Sequence, residues 1–449
     1  MNSNTKQNAA ISAEQLANFS EAYETNRLQK AMTNVLAHCT IADAAADDGA
    51  MKKMLHKFSI DIPTMAVTNQ KQSGRCWLFA ALNLIRETIA KAHNIEFFEL
   101  SQSYAAFWDK FERVNYFYEA ILQTAERDID DRTVNYLLQT GVQDGGQWDM
   151  FVNIVNKYGV VPKDAMPETK QSSATNELGR LLNEKIRGDA VVLRRMAADG
   201  EAEAEIAAFK TELLRQVYGF LCTCYGEPPK TFDFEYVDRD QTYHIETGYT
   251  PLSFAERYIG NSLADYVSII NAPTQDKPFH KVYTVEFLGN VVEGSLVRHL
   301  NLPMDEFKAL ILAQLSDGEP VWFGSDVGFR GNRERGIWDD ASYDYESAAG
   351  FSLHTTKEER LDYRISAMSH AMVLTGVNLY DGKPNRWKIE NSWGDERGDK
   401  GYYVCSDTWF DAYVFQAVVH RKYLAQYAEQ LAETPVLLKP WDPMGSLAD

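Results

Sequence analysis

The sequence predicts an α+β protein in which helices dominate the first half of the chain and strands the last third. Apolar residues recur at helical spacing after Cys76 and again between Ile206 and Phe220. The segment from Ala371 to Tyr380 is instead rich in apolar and β-branched residues, which is typical of a buried strand. Because the two kinds of element are largely segregated along the chain, we expect an α+β fold.

The composition limits the classes of protein to which the chain can belong. Its 449 residues correspond to about three average domains, although one elaborated domain is also compatible. The 45 basic and 64 acidic residues give a net charge of −19, which disfavours general attraction to nucleic acid phosphates and to anionic membranes. The N-terminus lacks the apolar core of a signal peptide, and no run is long enough for a transmembrane helix. We therefore expect a cytoplasmic protein without membrane or nucleic acid partners.

The cysteines give no sign of a disulfide framework or a metal site. The five cysteines are odd in number and scattered along the chain. Cys222 and Cys224 are too closely spaced for a usual zinc site, and no second Cys or His pair completes one. We therefore expect no metal and no cofactor.

Periodicity and turn residues divide the chain into elements. Ser12 and Gln15 form a capping box at the start of an N-terminal helical arm, and the paired glycines Gly145 and Gly146 interrupt a later helical pattern. The predicted helices cover residues 12–39, 76–93, 150–158, 170–226 and 305–315, with one beginning at Ser101 and further helical segments near Asp407 and over 424–431. The predicted strands are short segments between 230 and 292, then 320–324, 371–380, 386–390 and 401–405, followed by a nonhelical tail from Trp441.

Cys76 is predicted to be the first residue of a helix, and it is the candidate nucleophile. A thiol at a helix N-terminus lies close to the positive end of the helix dipole and to unpaired backbone N–H groups, both of which favour the thiolate. The apolar spacing of Leu78, Leu82 and Ile85 would hold that end of the helix firmly. The alternative is that Cys76 is one more small buried apolar side chain.

His370 and Asn391 are the candidates to work with that thiol. A thiolate nucleophile needs a cationic neighbour that later gives a proton to the leaving amine, and histidine suits both tasks. His370 begins an apolar strand, from which its ring could point into a cleft, and Asn391 follows a later predicted strand. The Asn391 side chain would orient the imidazole, and Trp393 would shield that contact from water. Either residue taken alone is also compatible with a purely structural role.

The ordered set of Gln70, Cys76-Trp77, His370-Ala371 and Asn391-Ser-Trp-Gly394 resembles that of the papain-like cysteine peptidases. The resemblance implies a papain-like two-lobed fold, with a helical lobe and an antiparallel β lobe. It implies that Cys76 is the nucleophile, His370 the general acid and base, and Asn391 the orienting residue. It also implies that the Gln70 amide and the Cys76 backbone N–H form the oxyanion hole. Gln72 is an alternative to Gln70 with a less suitable spacing.

Two departures from the secreted papain-like enzymes are informative. Those enzymes have a half-cystine three residues before the nucleophile and another just before their glycine pair, where this chain has Ser73 and Gln143. The missing disulfide agrees with a reducing cytoplasm. Cys76 and His370 are about 290 residues apart, whereas about 130–150 is typical of papain. The excess predicts large insertions between residues 162 and 366, chiefly the helical segment and part of the strand-rich region.

The enlarged, disulfide-free form is similar to the bleomycin hydrolase and aminopeptidase C family over nearly the whole chain, including the tail Trp441-Asp-Pro-Met-Gly445. That family forms homohexamers with active sites facing an internal channel. Its C-terminal arm lies in the cleft, where the terminal carboxylate meets the α-ammonium group of the substrate. The similarity implies that Asp449, or Ala448 after trimming, restricts cleavage to the N-terminal residue. Without the similarity, the tail would be predicted to be disordered.

We therefore expect two papain-like lobes with a large helical insertion and with N- and C-terminal arms. The expected divisions are an N-terminal arm and helical extension (1–60), a helical lobe with the nucleophile (61–162), a helical and strand insertion with the start of the β lobe (163–365), a β lobe with His370 and Asn391 (366–425) and a C-terminal arm that reaches the cleft (426–449).

These expectations combine into one predicted function, a cytoplasmic cysteine aminopeptidase of broad specificity that acts on peptides through a thioester acyl-enzyme. Asp144, Gly145 and Gly146 are expected to bond the substrate backbone, with Trp393 and the two C-terminal residues as further substrate-binding groups. A cysteine endopeptidase or transamidase with the same catalytic residues is one alternative. A nucleic-acid-binding homeostatic scaffold is another, against which the net charge of −19 weighs.

Overall fold

The computed structural model describes residues 9–260 and 262–447. These residues form two compact units. The smaller unit contains the described residues up to Met54 together with Asp339–Thr355, and the larger one contains Leu55–Trp338 and the described residues from Thr356 onwards. None of the helices in the described ranges is long and apolar enough to span a membrane.

The smaller unit is built from short helices. Ser12 and Gln15 form the predicted capping box, since each side chain accepts a hydrogen bond from the backbone N–H of the other residue. The prediction of one continuous helix over 12–39 is wrong. Asn26 leaves helical backbone geometry (φ −82°, ψ 98°), and its side chain caps the second helix through the Gln29 N–H at 3.1 Å. The helices of this unit are Ala13–Thr25, Arg27–Leu36, Ile41–Ala45, Asp48–Met51 and Tyr345–Ala349.

The helical lobe of the larger unit surrounds the helix Cys76–Ala92, which we call the Cys76 helix. Twelve of its 17 residues are buried, and nine of these share one apolar core with residues of the next helices. The predicted helical insertion is confirmed as two long helices, Asn176–Ala198 and Glu203–Tyr225. The remaining helices are Gln102–Gln123, Arg132–Thr140, Trp148–Tyr158, Pro251–Tyr258, Met304–Ser316, Lys357–Asp362, Asp407–Tyr413 and Ala428–Ala432.

The β lobe is a twelve-stranded sheet, so the predicted α+β class is confirmed. β10 (His370–Tyr380) lies between β7 (Val321–Ser325) and β11 (Lys383–Glu390), and both neighbours run antiparallel to it. The other strands of this sheet are β1 (Ile60–Asp61), β4 (Tyr266–Ile270), β5 (Lys281–Val285), β6 (His299–Asn301), β8 (Gly331–Asn332), β9 (Ile337–Trp338), β12 (Tyr402–Ser406), β13 (Val414–His420) and β14 (Val436–Leu438), while β2 (Phe232–Val237) and β3 (Tyr243–Tyr249) form a separate hairpin.

The sheet register places two of the predicted site residues at one edge. Antiparallel pairing brings the start of β10 next to the end of β11. His370 is the first residue of β10 and lies opposite Ser325 of β7. Glu390 is the last residue of β11, so Asn391 follows directly at the same edge. The Cys76 helix packs on β10, and the lobes therefore meet where these strand ends lie.

The C-terminal segment is anchored, although periodicity and composition predict only a nonhelical tail. β14 pairs in parallel with β5. Asp442 then forms an ion pair of 3.0 Å with the buried Lys277. The described chain continues to Leu447. Ala448 and Asp449 lie outside the described residues, so their predicted contact with a substrate stays a prediction.

Candidate active site

Cys76 begins the Cys76 helix, and its side chain is fully buried. No side chain caps this helix, so its first backbone N–H groups are not neutralised by a capping oxygen. The backbone N–H of Ala371 donates to the Cys76 Sγ at 3.4 Å. Both features place positive partial charge next to the sulfur and therefore favour a thiolate.

The residue before Ala371 is His370, so the strand start whose backbone contacts the thiol also carries the imidazole. His370 Nε2 and Asn391 Oδ1 are 2.9 Å apart. A proton on Nε2 that is donated to Asn391 leaves Nδ1 as the acceptor of the neutral ring. The Trp393 ring covers His370 at 4.8 Å between centroids and an interplanar angle of 30°. The structure thus brings together the cysteine, histidine, asparagine and tryptophan that the sequence singles out.

The surroundings of His370 disfavour a lone positive charge. Burial lowers the pKa of His370 to about 4, with a smaller opposing effect from the hydrogen bond to Asn391 and a further lowering from the charge of Arg333. A thiolate at Cys76 would oppose this shift by Coulomb attraction. Since burial penalises either charge by itself, a thiolate at Cys76 and an imidazolium at His370 would stabilise each other as a pair.

Gln70 lies on a segment that pairs with residues 391–394. Its backbone N–H donates to the Ser392 carbonyl at 2.8 Å, and its Oε1 accepts from the Ser392 hydroxyl at 2.6 Å. Gln70 Nε2 donates to the Ser73 carbonyl at 2.6 Å, which uses one of its two hydrogens. These bonds fix the amide in one orientation. The alternative, Gln72, is exposed and bonds residues 173 and 175 through its backbone.

The glycine pair lies close to Trp77, the residue after Cys76. A Cβ atom on Gly146 would be 2.5 Å from the Trp77 ring, so a larger residue would displace the ring or the loop. The Gly145 carbonyl accepts a hydrogen bond from Arg113. The Trp77 indole N–H donates to the Asp144 carbonyl at 2.8 Å. The loop of residues 144–146 is therefore held against the start of the Cys76 helix.

The Asp144 carboxylate is bonded inside the protein. It pairs with Lys110 and accepts hydrogen bonds from the Thr175 hydroxyl and, at 3.1 Å, from the Gly74 N–H. Burial would raise the pKa of Asp144, but the Lys110 charge and these hydrogen bonds together lower it. The Asp144 side chain thus fixes the turn before Cys76. Only the backbone of Asp144 is left for the predicted bond to a substrate.

A buried ionic cluster forms around Glu390, the residue before Asn391, and we call it the Glu390 cluster. Glu390 Oε1 accepts from Asn83 Nδ2 at 2.8 Å and from Arg86 Nη2 at 3.3 Å, and all three residues are buried. Burial raises the pKa of Glu390, and the Arg86 charge opposes this rise. Asn83 and Arg86 belong to the Cys76 helix, whereas Glu390 ends β11. The cluster therefore ties the helix to the strand that ends next to Asn391.

The Glu390 cluster also holds the segment that leads to Gln70. Asn83 Nδ2 donates to Thr68 Oγ1 at 3.0 Å, and Arg86 donates to the Ala66 carbonyl at 2.8 Å. The Cys76 helix, the segment that leads to Gln70 and the strand end before Asn391 therefore meet at one cluster. Sequence reasoning missed it, although two polar residues inside the apolar run of a buried helix were the signal that could have found it.

The C-terminal tail runs along the glycine loop. Gln147, which follows the glycine pair, is fully buried and donates from Nε2 to the Ser446 carbonyl at 2.7 Å. The guanidinium of Arg132 lies over the Trp441 ring, 3.8 Å from its centroid. These contacts, with the Asp442 ion pair, fix the course of the tail as far as Leu447.

We expect Glu390→Gln to slow the alkylation of Cys76 by iodoacetamide about tenfold, because a loosened helix would weaken the pairing of the thiolate with His370. The substitution should also lower the free energy of unfolding by about 3 kcal/mol, since it leaves the Arg86 guanidinium buried without its counter-charge. Intact mass at timed intervals measures the alkylation rate, and urea unfolding measures the stability.

Asp189→Asn is the matched control for this substitution. Asp189 is another buried carboxylate that bonds the Tyr118 hydroxyl and Lys185, but it lies on the helix Asn176–Ala198. The Asp189→Asn substitution should lower the free energy of unfolding without changing the alkylation rate of Cys76. Equal alkylation rates for Glu390→Gln and the unmodified chain would show that the cluster does not position the thiol.

Comparisons with known proteins place the chain in one family. The Peptidase C1-like family matches residues 10–445. The chain is 47% identical to the aminopeptidase C of Listeria monocytogenes over 439 residues, which cover 98% of this chain and 99% of the relative. It is 49% identical to the aminopeptidase C of Streptococcus thermophilus over 430 residues, which cover 95% and 96% of the two chains.

A solved structure agrees with these relatives. The crystal structure of PepW from Lactobacillus rhamnosis HN001 matches this fold with a TM-score of 0.96 at 50% identity, and the match covers 98% of this chain and 100% of the other. The chain therefore belongs to the Peptidase C1-like family, in its bleomycin hydrolase and aminopeptidase C branch, and is an enzyme of the cysteine aminopeptidase type.

Proposed function

We propose that this chain removes the N-terminal residue from peptides in the cytoplasm, by nucleophilic catalysis at Cys76. The observation that carries the proposal is the meeting of Cys76, His370 and Asn391 at one edge of the sheet. There the Cys76 Sγ lies 3.4 Å from the Ala371 N–H nitrogen, and His370 Nε2 lies 2.9 Å from the Asn391 amide oxygen. A buried thiol beside a buried, oriented imidazole is the arrangement that acyl transfer requires.

The reaction proceeds in two halves. The Cys76 thiolate attacks the carbonyl carbon of the first peptide bond, and the carbonyl oxygen takes up the negative charge. The His370 imidazolium gives its proton to the leaving nitrogen, the C–N bond breaks, and the first residue stays on Cys76 as a thioester. His370 then takes a proton from water as the water oxygen attacks the thioester. The free amino acid leaves, and the thiolate and imidazolium are restored.

The neighbouring groups have separate tasks in this scheme. The second Nε2 hydrogen of Gln70 and the Cys76 backbone N–H would donate to the developing oxyanion. Asn391 holds the His370 ring, and Trp393 keeps water from that bond. The backbone of residues 144–146 would bond the substrate main chain. Because none of these contacts needs a particular substrate side chain, we expect broad specificity.

We assign the restriction to the N-terminal residue to the C-terminal tail. The Lys277–Asp442 ion pair and the Gln147–Ser446 hydrogen bond direct the tail along the loop of residues 144–146. A terminal carboxylate that faces the α-ammonium group of a substrate in a partly dry cleft is attractive. The tail would also fill the space that a longer substrate needs, which excludes internal cleavage.

The free cysteines support the cytoplasmic location. All five cysteines are described, and none of them forms a disulfide. Ser73 and Gln143 occupy the positions at which secreted papain-like enzymes have half-cystines. An oxidising compartment would therefore offer this chain no stabilising disulfide. A reducing compartment such as the cytoplasm would keep the Cys76 thiol reduced.

We expect Cys76→Ala to abolish hydrolysis of alanyl-aminomethylcoumarin without unfolding the chain, because the substitution removes the nucleophile and only one heavy atom. Gln70→Ala should lower kcat about 100- to 1000-fold, the effect of losing one oxyanion donor. Gln72→Ala is the control, because the same side chain two positions away is exposed. Full activity of Cys76→Ala would exclude the proposed chemistry, and equal effects of the two glutamine variants would exclude Gln70 from the oxyanion hole.

We expect a chain truncated after Asp442 to cleave N-acetylated peptides and internal bonds that the full chain leaves intact. This truncation keeps the ion pair of Asp442 with Lys277. Mass spectrometry of the products from one peptide, free and N-acetylated, distinguishes the two modes. Asp449→Asn removes only the side-chain carboxylate and so separates it from the main-chain one. An unchanged product pattern after truncation would remove the tail from the mechanism.

We propose a homohexamer, and the exposed apolar residues of the N-terminal helices support assembly. The helices Ala13–Thr25 and Arg27–Leu36 contain no buried residue. Leu16, Phe19 and Leu28 are 56%, 61% and 56% exposed, respectively. Apolar side chains grouped in this way are typical of surfaces that another subunit covers.

We expect the double substitution Leu16→Glu and Phe19→Glu to dissociate the hexamer, because it places charge on a surface that assembly would bury. Sedimentation velocity measures the assembly directly. Ile245→Glu is the control, since Ile245 is an exposed apolar residue of β3 and not of the N-terminal helices. A monomeric unmodified chain, or a double variant that still forms hexamers, would contradict the proposal.

A further inference from the structure

Arg333 is a fixed cation beside the proposed catalytic histidine. Its guanidinium carbon lies 4.8 Å from the centroid of the Trp393 ring. The Trp393 ring in turn lies 4.8 Å from the His370 ring. The exposed guanidinium of Arg333 is therefore linked to the His370 imidazole through the Trp393 ring, which contacts both groups. The charge of Arg333 also contributes to the lowered pKa of His370, so the two groups interact electrostatically.

The position of Arg333 is determined by the turn between β8 and β9. The Arg333 carbonyl accepts a hydrogen bond from the Tyr403 hydroxyl at 3.1 Å. Two residues later, the Arg335 N–H donates to Asn332 Oδ1 at 3.0 Å. With its backbone held on both sides and its guanidinium on the Trp393 ring, the side chain loses little further entropy when it binds a ligand.

Arg333 is not neutralised by any of the described residues, since no carboxylate among them lies within ion-pair distance of its guanidinium. The adjacent Glu334 is paired with Arg397 at 3.1 Å and so does not serve Arg333. In a chain with a net charge of −19, an unpaired guanidinium beside the site favours the approach of a negative group at this point.

The proposed reaction brings the leaving residue to the same place. The leaving nitrogen takes its proton from His370, so it must lie within about 3 Å of the ring. In a dipeptide, the carboxylate carbon of the leaving residue is only two bonds, about 2.5 Å, from that nitrogen. The two ring contacts put the guanidinium carbon of Arg333 at most about 10 Å from the His370 ring, a gap that the leaving residue and one hydrogen bond can span. A carboxylate on the leaving residue therefore comes within reach of Arg333.

We propose that Arg333 forms a subsite for a carboxylate on the leaving residue, so that this enzyme favours dipeptides and peptides with Asp or Glu in the second position. The proposal rests on the aminopeptidase function proposed above. Arginine suits the task because its planar fork can bond both carboxylate oxygens while its face stacks on Trp393. The preference concerns the residue after the cleaved bond, which the broad tolerance for the first residue leaves open.

Matched substrates test the proposal. Alanyl-glycine and alanyl-glycine amide differ only in the α-carboxylate, and alanyl-glutamate amide and alanyl-glutamine amide differ only in the side-chain carboxylate. We expect kcat/KM to be about tenfold higher for the charged member of at least one pair, and this ratio to fall with rising salt. The pair that shows the ratio identifies the source of the carboxylate.

Substitutions assign the preference to Arg333. Arg333→Gln should reduce the ratio to about one, and Arg333→Lys should restore it in part, because lysine keeps the charge and loses the fork. Lys383→Gln is the control. It makes the same change in net charge at the start of β11, opposite the last residue of β10, and it should keep both the ratio and the basal activity.

Each outcome bears on a different part of the proposal. Equal kcat/KM values within both pairs, or a ratio that Arg333→Gln leaves unchanged, would overturn the subsite. Hydrolysis of alanyl-aminomethylcoumarin, which has no carboxylate on its leaving group, reports the aminopeptidase function separately. If the unmodified chain does not hydrolyse alanyl-aminomethylcoumarin, the proposed function is contradicted. If it does, and kcat/KM is equal within both substrate pairs, only the subsite is contradicted.

Discussion

The site depends on a buried contact between residues outside the proposed catalytic set, the bonding of Glu390 to Arg86 and Asn83. A carboxylate and a guanidinium without access to water are costly to bury separately, so each requires the other in the folded chain. Because the contact joins the Cys76 helix to the end of β11, it fixes the distance between a thiol in the helical lobe and an imidazole in the β lobe. Attack on a carbonyl carbon needs placement within about 0.5 Å, and a buried ionic contact resists displacement on that scale.

The local electrostatics of the site differ from those of the whole chain. With a net charge of −19, the surface as a whole repels anions. At the sulfur, however, the uncapped helix start and the Ala371 N–H supply positive partial charge. Arg75, the residue before Cys76, is already paired with Glu168. Lys110 is paired with Asp144 of the loop of residues 144–146. In the proposed mechanism, dipoles and His370 therefore stabilise the thiolate, and Arg333 is the cation proposed to bind a ligand.

The glycine loop connects substrate binding to the course of the tail. Gly146 must lack a side chain because Trp77 packs on it, and this contact brings the loop to the residue after Cys76. The next residue, Gln147, bonds the tail at Ser446. In the proposed function, the backbone of this loop bonds the peptide and the following residue holds the tail, so the two are coupled. On that proposal, the course of the tail sets how much of a peptide can bind.

The sequence by itself determined the elements that rest on local chemistry. Periodicity and capping residues predict the Cys76 helix, the Ser12 capping box and the strand that begins at His370, because these depend on neighbours within a few positions. The sequence did not predict the helix break at Asn26, the bonding of the Asp144 carboxylate inside the protein or the Glu390 cluster. Asn26 is a local exception in which a side-chain cap outweighs helical periodicity. The others join residues that are distant in sequence, such as Asp144 with Lys110 and Glu390 with Arg86. Only the tertiary structure brings such partners together, because their attraction decides nothing until the lobes have packed and excluded water.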